Sequence, residues 1–190
     1  MNVESELVFI VGPGSAGKTT TGKLLAEKLS YGFIDVDQVF NSRIAPIPEY
    51  AKQYGYPKYC EANSQLVDEL LEEFPKRIVM PLPAGFLTHE ESPELVLKHI
   101  ELLKRKGTTI MLMPSKSIKE TRDIIVSRQV ARGYHDTYKE REERIINGRH
   151  PLYMTHGDIQ IFSTEQPNMI VEEMIKELAK LGIPKLSAAD

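Results

Sequence analysis

The feature that most restricts the fold of this 190-residue chain is the run Gly12-Pro13-Gly14-Ser15-Ala16-Gly17-Lys18-Thr19. It matches the phosphate-loop pattern G-x-x-x-x-G-K-[ST] at every fixed position. Five apolar residues, Leu7 to Val11, precede it without interruption, as a strand buried on both faces requires. Thr19 to Leu29 follow it, with Leu25 and Leu29 one helical turn apart, which predicts a helix with one apolar stripe. Gly22 and Ala26 are small enough to let that helix lie close to a sheet. Strand, glycine loop and helix in this order predict a nucleotide-phosphate site rather than an ordinary glycine-rich turn.

The residue types suit a polyphosphate. Glycines at 12, 14 and 17 can turn consecutive N–H groups inward and admit a ligand close to the backbone. The helix opening near Lys18 adds unpaired N–H groups and the positive end of its dipole. Lys18 offers a positive charge to the β- and γ-phosphates, and the Thr19 hydroxyl is a ligand for Mg2+. The predicted nucleotide contacts are Gly12, Gly14, Ser15, Ala16, Gly17, Lys18, Thr19 and Thr20, with ATP and Mg2+ as cofactors.

The length suits one domain over residues 1–190 with a sizeable core. A net charge of −3 gives no general attraction to nucleic acid. Cys60 is the single cysteine, so no internal disulfide can form. Met1 to Glu6 lack the basic-then-apolar layout of a signal peptide, and no apolar run reaches membrane-spanning length. A cytoplasmic monomer acting on a small molecule, with no nucleic-acid or membrane partner, is the expectation. Extended patterns at 7–11, 33–35, 76–80, 108–113 and 158–162 alternate with helical ones at 17–29, 58–73, 92–105, 117–131, 137–147 and 167–181, with short helical pieces between 37 and 55. Such alternation predicts an α/β fold, with right-handed crossovers onto a parallel sheet covered by helices on both faces.

A second chemical cluster is Phe33-Ile34-Asp35-Val36-Asp37. On an extended backbone, side chains two residues apart share a face, and strand ends line the ligand crevice of such sheets. One carboxylate can support Mg2+ and the other can take a proton from an attacking hydroxyl. The alternative for Asp37 is a helix cap.

Gly12 to Thr20, Leu24 to Leu29 and Phe33 to Asp37 together resemble the N-terminal third of a shikimate kinase. Arg149-His150-Pro151-Leu152-Tyr153 resembles that family's R-x-P-L-Y segment, and Pro48 to Leu71 is similar to its helical substrate-binding insert. The resemblance implies a three-layer αβα fold of the P-loop NTPase type. It also implies a five-stranded parallel sheet, an insert at about 37–74 and a lid at about 128–150. The implied activity is ATP-dependent phosphorylation of a small-molecule hydroxyl. Asp37 would contact the accepting hydroxyl, Asp35 would support magnesium, and Arg149 would grip a substrate carboxylate. Two departures accompany the match. Cys60 stands where the family carries a carboxylate-binding arginine. Met80-Pro81-Leu82-Pro83-Ala84-Gly85 keeps Gly85 alone of three consecutive glycines. Cysteine cannot replace a bidentate arginine, and prolines lack the N–H. The expected acceptor is therefore something other than shikimate. A sugar acid, a polyol or a nucleoside monophosphate are alternatives, as is a nucleotide-binding sensor without catalysis.

The lid of this family begins with an arginine, and either Arg128 or Arg132 aligns with it. Tyr50, Tyr54, Tyr56 and Tyr59 of the insert can line a ring- or polyol-binding pocket or pack the insert onto the sheet. Lys58 is the basic residue nearest Cys60. The mixed-charge run Lys139 to Arg144 reads as a solvated helix face. His89, His99, His135, His150 and His156 show no metal-ligand spacing and are expected in surface or packing roles. Ser163 to Pro167 is either an adenine-side loop or a plain turn.

Overall fold

The structure is a computed structural model that describes residues 6–89, 92–131 and 136–183, with side chains of 136–138 left aside. Five parallel strands, β1 (Leu7–Val11), β2 (Gly32–Phe33), β3 (Ile78–Pro81), β4 (Thr108–Met113) and β5 (Ile159–Phe162), lie in the order β2-β3-β1-β4-β5. The unbroken apolar run of β1 sits in the middle of the sheet, and all five of its residues are buried. Its side chains alternate between two cores, as the period of a strand dictates. Val8 and Ile10 meet Leu25 and Leu29 of α1 (Lys18–Leu29) and Val171, Met174 and Leu178 of α8 (Pro167–Lys180). Leu7, Phe9 and Val11 face the opposite core. That core is built by α2 (Val36–Arg43), α4 (Tyr56–Glu73) and α5 (Pro93–Lys106), with α3 (Ile47–Tyr54) packed at its edge.

Helix α1 does lie close to the sheet. A methyl group at Gly22 would come within 2.8 Å of Pro81 and 3.2 Å of Ile10. Most elements lie within two residues of expectation; two of the differing boundaries have consequences for the site. Strand β2 ends at Phe33 instead of reaching Asp35, because Asp35 leaves the strand to cap α2. Helix α7 (Asp136–Tyr153) runs past residue 147 and through Pro151, so Arg149 stands on a helix. What carries α7 past its proline is burial of His150 and Tyr153, whose hydroxyl donates to the Ala84 carbonyl. Helix α6 (Ile118–Val130) begins at Ser117, whose hydroxyl accepts from the Glu120 N–H as a cap should. Among the described residues no helix is long and apolar enough to cross a membrane.

Candidate active site

The loop that follows β1 is held by its own geometry. Gly12 has φ +145 and would place a Cβ 2.1 Å from the Leu112 carbonyl oxygen of β4, so no side chain fits there. Gly17 has φ +102 and forms the left-handed N-cap of α1. Ser15 also adopts positive φ, and buried Ala16 packs against Ile125 of α6 and Ile146 of α7. The Lys18 side chain folds back over the loop, donating from Nζ to the carbonyls of Gly12 at 2.9 Å and Pro13 at 3.0 Å. Enclosure of the ammonium lowers its pKa to about 8, against the pull of Asp37 and Asp35 in the other direction. At neutral pH this is a costly charge, poised for a stronger anionic partner than two carbonyls.

Thr19 Oγ1 donates to Asp35 Oδ2 at 2.6 Å, while Asp35 Oδ1 accepts from the Gln38 N–H at 3.2 Å. Asp35, not Asp37, is therefore the helix cap. Asp37 lies in the first turn of α2 and accepts from the Tyr59 hydroxyl at 3.3 Å. Burial raises its pKa, Lys18 opposes this, and Asp35 adds to it. A carboxylate with a raised pKa is a better proton acceptor than an exposed one. The two aspartates do not share a strand face, yet both line one cavity of about 310 Å3 with Gly14, Ser15, Gly17, Lys18, Thr19 and Thr20. The helix start brings Asp37 back towards the loop. Thr19 and Asp35 are hard oxygen donors of the kind Mg2+ takes, and no group of three His, Cys, Asp or Glu among the described residues could hold a metal alone. Phosphate oxygens and water would complete the shell, which is how Mg2+ is usually bound beside a nucleotide.

At the far wall of this cavity stand Gln129 and Glu142, joined by a 3.0 Å hydrogen bond between α6 and α7. Arg128 reaches the loop from α6, donating from Nη1 to the Ser15 carbonyl at 3.1 Å. Arg132 lies outside the described residues.

A second cavity of about 440 Å3 lies between α4, the segment after β3 and α7. Arg149 enters it from α7 and donates from Nη2 to the Tyr56 hydroxyl at 2.9 Å. Tyr56 and Tyr59 are ring neighbours at 5.8 Å and stand between the two cavities, Tyr59 bonded to Asp37 and Tyr56 to Arg149. Tyr50 and Tyr54 instead pack within the insert, Tyr50 edge-on against Phe40 at 5.3 Å. Of the four tyrosines Tyr56 alone lines this cavity, and Tyr59 is buried edge-on against Phe40 at 5.2 Å. Gly85 faces Tyr56, and a Cβ there would sit 2.3 Å from the Tyr56 hydroxyl and 3.4 Å from Arg149 Nη1. Cys60 is 2% exposed, with Sγ 3.2 Å from His89 Nδ1. Burial first, then Arg149, lowers the His89 pKa to about 4, so the imidazole is neutral at pH 7. Lys58 points to solvent and pairs with Glu61 at 2.6 Å, so it does not stand in for the arginine absent at position 60. His99 keeps a packing role, stacked on Phe86 and bonded to its carbonyl. The turn before α8 has no Ser or Thr cap; Gln166 occupies the N-cap.

His89, Glu142, Arg141 and Arg144 line these cavities, although the sequence reading gave them no chemistry. For the arginines a signal existed: Arg144 follows Arg141 by three residues and Arg149 follows Arg141 by eight, which puts them on one face once α7 is known to continue to Arg149.

A protein-family model described as Shikimate kinase matches residues 14–179. A shikimate kinase of Chlorobium luteolum is 25% identical over 179 residues, covering 94% of this chain and 88% of that protein. Among solved structures, a shikimate kinase from Acinetobacter baumannii in complex with shikimate has a TM-score of 0.73 at 23% identity, covering 94% of this chain and 95% of that one. A gluconokinase from Sinorhizobium meliloti has a TM-score of 0.61 at 17% identity, covering 92% and 91%. These two structures share the five-stranded, three-layer kinase fold described above. With the family model running from Gly14 of the phosphate loop through both aspartates, the insert and Arg149, the chain belongs to the shikimate kinase family.

Proposed function

We propose that this chain transfers the γ-phosphoryl group of ATP to a hydroxyl of a small molecule other than shikimate. Shikimate kinases use ATP with Mg2+, which supply the transferable group and offset its charge. In this reading the N–H groups of the loop, including Gly14, Ser15, Ala16, Gly17 and Thr20, cradle the phosphates. Lys18 exchanges its carbonyl partners for phosphate oxygens, and Thr19 with Asp35 holds the metal. Arg128 is one backbone contact away from the loop and leaves Ser15 to meet charge developing on the transferred group. Asp37, with its raised pKa, orients the hydroxyl and accepts its proton. Arg149 and Gly85 shape the acceptor cavity.

The observation that carries the choice of acceptor is Cys60. It is buried in the wall of that cavity against His89, at the place of a carboxylate-binding arginine, while Lys58 is turned away. Loss of one charge-assisted contact costs roughly tenfold to a hundredfold in binding. ADP release measured with shikimate, sugar acids, polyols and nucleoside monophosphates tests this. Shikimate should be a poor substrate, and Cys60→Arg with Pro83→Gly and Ala84→Gly should raise its turnover. Wild-type turnover of shikimate at kcat/KM of about 10⁴ M⁻¹s⁻¹ or more would overturn the reading. ATP-dependent thermal stabilisation without ADP release from any acceptor would point to a nucleotide-binding partner protein instead.

A further inference from the structure

We infer that the acceptor carries a doubly charged anionic end, a phosphomonoester or a pair of carboxylates, received by Arg141 and Arg144 beyond Arg149. The inference rests on the kinase reading above and deepens it.

The second cavity is lined by three arginines, and no aspartate or glutamate among the described residues lines it. Arg141, Arg144, Ile145 and Arg149 form one face of α7, since residues three and four apart are neighbours on a helix. At 1.5 Å rise per residue the row from 141 to 149 is about 12 Å long, too long for a single carboxylate to span. An elongated ligand, or two anionic groups on one ligand, is needed to engage it. Arg149 has a partner, the Tyr56 hydroxyl. Arg141 and Arg144 make no ion pair or hydrogen bond among the described residues, although Glu140 and Glu143 stand beside them on the same helix. A solvated, self-neutralised helix face would pair Glu140 with Arg144 one turn on. Here the Glu140–Arg144 pair is not formed among the described residues, and both arginines, exposed at the surface, border the cavity.

The described residues of the opposite wall are polar and uncharged at neutral pH. His89 is held neutral, and Tyr56, Cys60 and Thr88 offer hydroxyl and thiol groups. Among the described residues of that wall none is acidic, and three guanidinium groups gathered on one cavity suit an anionic ligand. Planar guanidinium groups bind phosphate and carboxylate oxygens in pairs, which suits a dianion better than a neutral polyol. Tyr56, bonded to Arg149, and Tyr59, bonded to Asp37, pack ring against ring between this subsite and the hydroxyl-activating carboxylate. Dianion and reacting hydroxyl would therefore sit at opposite ends of one molecule.

Binding and turnover are to be measured separately, at fixed ionic strength and with a non-hydrolysable ATP analogue for the binding arm. The probes are matched hydroxyl compounds: glycerol against glycerol 3-phosphate, lactate against malate, and glucose and gluconate against glucose 6-phosphate. The dianions should bind at least about tenfold more tightly than their neutral or singly charged counterparts. In Arg141→Gln/Arg144→Gln that preference should fall by about tenfold, with ATP-analogue binding changed less than twofold. Glycerol 3-phosphate and glucose 6-phosphate leading the series would identify a phosphomonoester, and malate leading would identify a dicarboxylate. No preference for dianions, or a preference unchanged by the double substitution, overturns the inference. ADP release reports on the kinase reading independently. Dianion binding without ADP release would sink that reading and leave the subsite standing, whereas ADP release confined to singly charged acceptors would keep the kinase and remove the subsite.

Discussion

Raising the pH from 7.5 to 9 should weaken ATP binding by about an order of magnitude, through Lys18 alone. The ammonium is enclosed by the loop, with two backbone carbonyls as its hydrogen-bond acceptors, and this lowers its pKa from 10.5 to about 8. In the free protein about three quarters of Lys18 is therefore charged at pH 7.5 and about a tenth at pH 9. The apparent Kd scales inversely with the binding-competent fraction, so it rises roughly eightfold to tenfold over this range. ATP itself does not change: its terminal phosphate is ionised throughout. The tyrosines of the site do not contribute either, because burial holds Tyr56 and Tyr59 above their usual range. Calorimetric titration with ATP at constant free Mg2+ would show the loss of affinity and, near pH 8.5, uptake of a proton on binding. Lys18→Arg keeps its charge at pH 9, so its affinity should be lower at pH 7.5 but independent of pH. A wild-type Kd that stays flat from pH 7.5 to 9 would refute the argument. The same titration has a stability consequence of definite sign. The unfolded chain holds the Lys18 proton up to about pH 10.5 and the folded chain releases it near 8. Lys18 therefore makes the ligand-free fold more stable as pH rises through that window.

Asp37→Asn should retain ATP binding at pH 7 and lower kcat about a hundredfold to ten-thousandfold with whichever acceptor is turned over, because an amide cannot accept the proton. Near-normal kcat would reduce Asp37 to a first-turn helix residue. Gly85→Ala should displace the Tyr56 hydroxyl, which a Cβ would approach to 2.3 Å, and with it the Arg149 contact. An acceptor KM raised severalfold, with ATP affinity unchanged and stability lower by about 1–3 kcal/mol in thermal melts, is the expected result. An unchanged KM would show that Gly85 does not shape the acceptor cavity. Gly12→Ala should be more damaging to stability, since its Cβ meets the Leu112 carbonyl at 2.1 Å in a backbone region that only glycine adopts readily. A melting temperature within a degree of wild type would contradict that close approach.

The nucleotide half of this site was legible in the sequence because it is local. Eight consecutive residues build the loop, and the strand before it and helix after it follow from apolar runs and a turn-spaced leucine pair. Asp35 and Asp37 were also visible, although the reason they converge was not. A strand extended to 35 would put both side chains on one face, whereas the structure ends β2 at Phe33 and uses the cap of α2 to bring them to the same cavity. The acceptor half is non-local. Cys60 meets His89 across 29 residues, Arg149 meets Tyr56 across 93, and Arg128 meets Ser15 across 113. No pattern of spacing encodes such pairs, and Cys60 could be seen as a departure from a family without any sign of what replaces it.

Helix α7 shows how one misjudged boundary hides chemistry. Pro151 argues for a helix that stops before it, since proline lacks the N–H of the ladder. A helix ending at 147 separates Arg149 from Arg141 and Arg144, which then look like ordinary surface charge. The buried Tyr153 hydroxyl and its bond to the Ala84 carbonyl anchor the chain beyond the proline, and α7 continues through it. Once the helix is continuous, 141, 144 and 149 line one cavity. The same helix carries Glu142 on the nucleotide cavity, bonded to Gln129 of α6. One helix thus borders both cavities, and its Glu142 ties it to α6 at Gln129, next to Arg128. It is the length of this helix, which a single proline makes look shorter than it is, that sets residues of both cavities on one element.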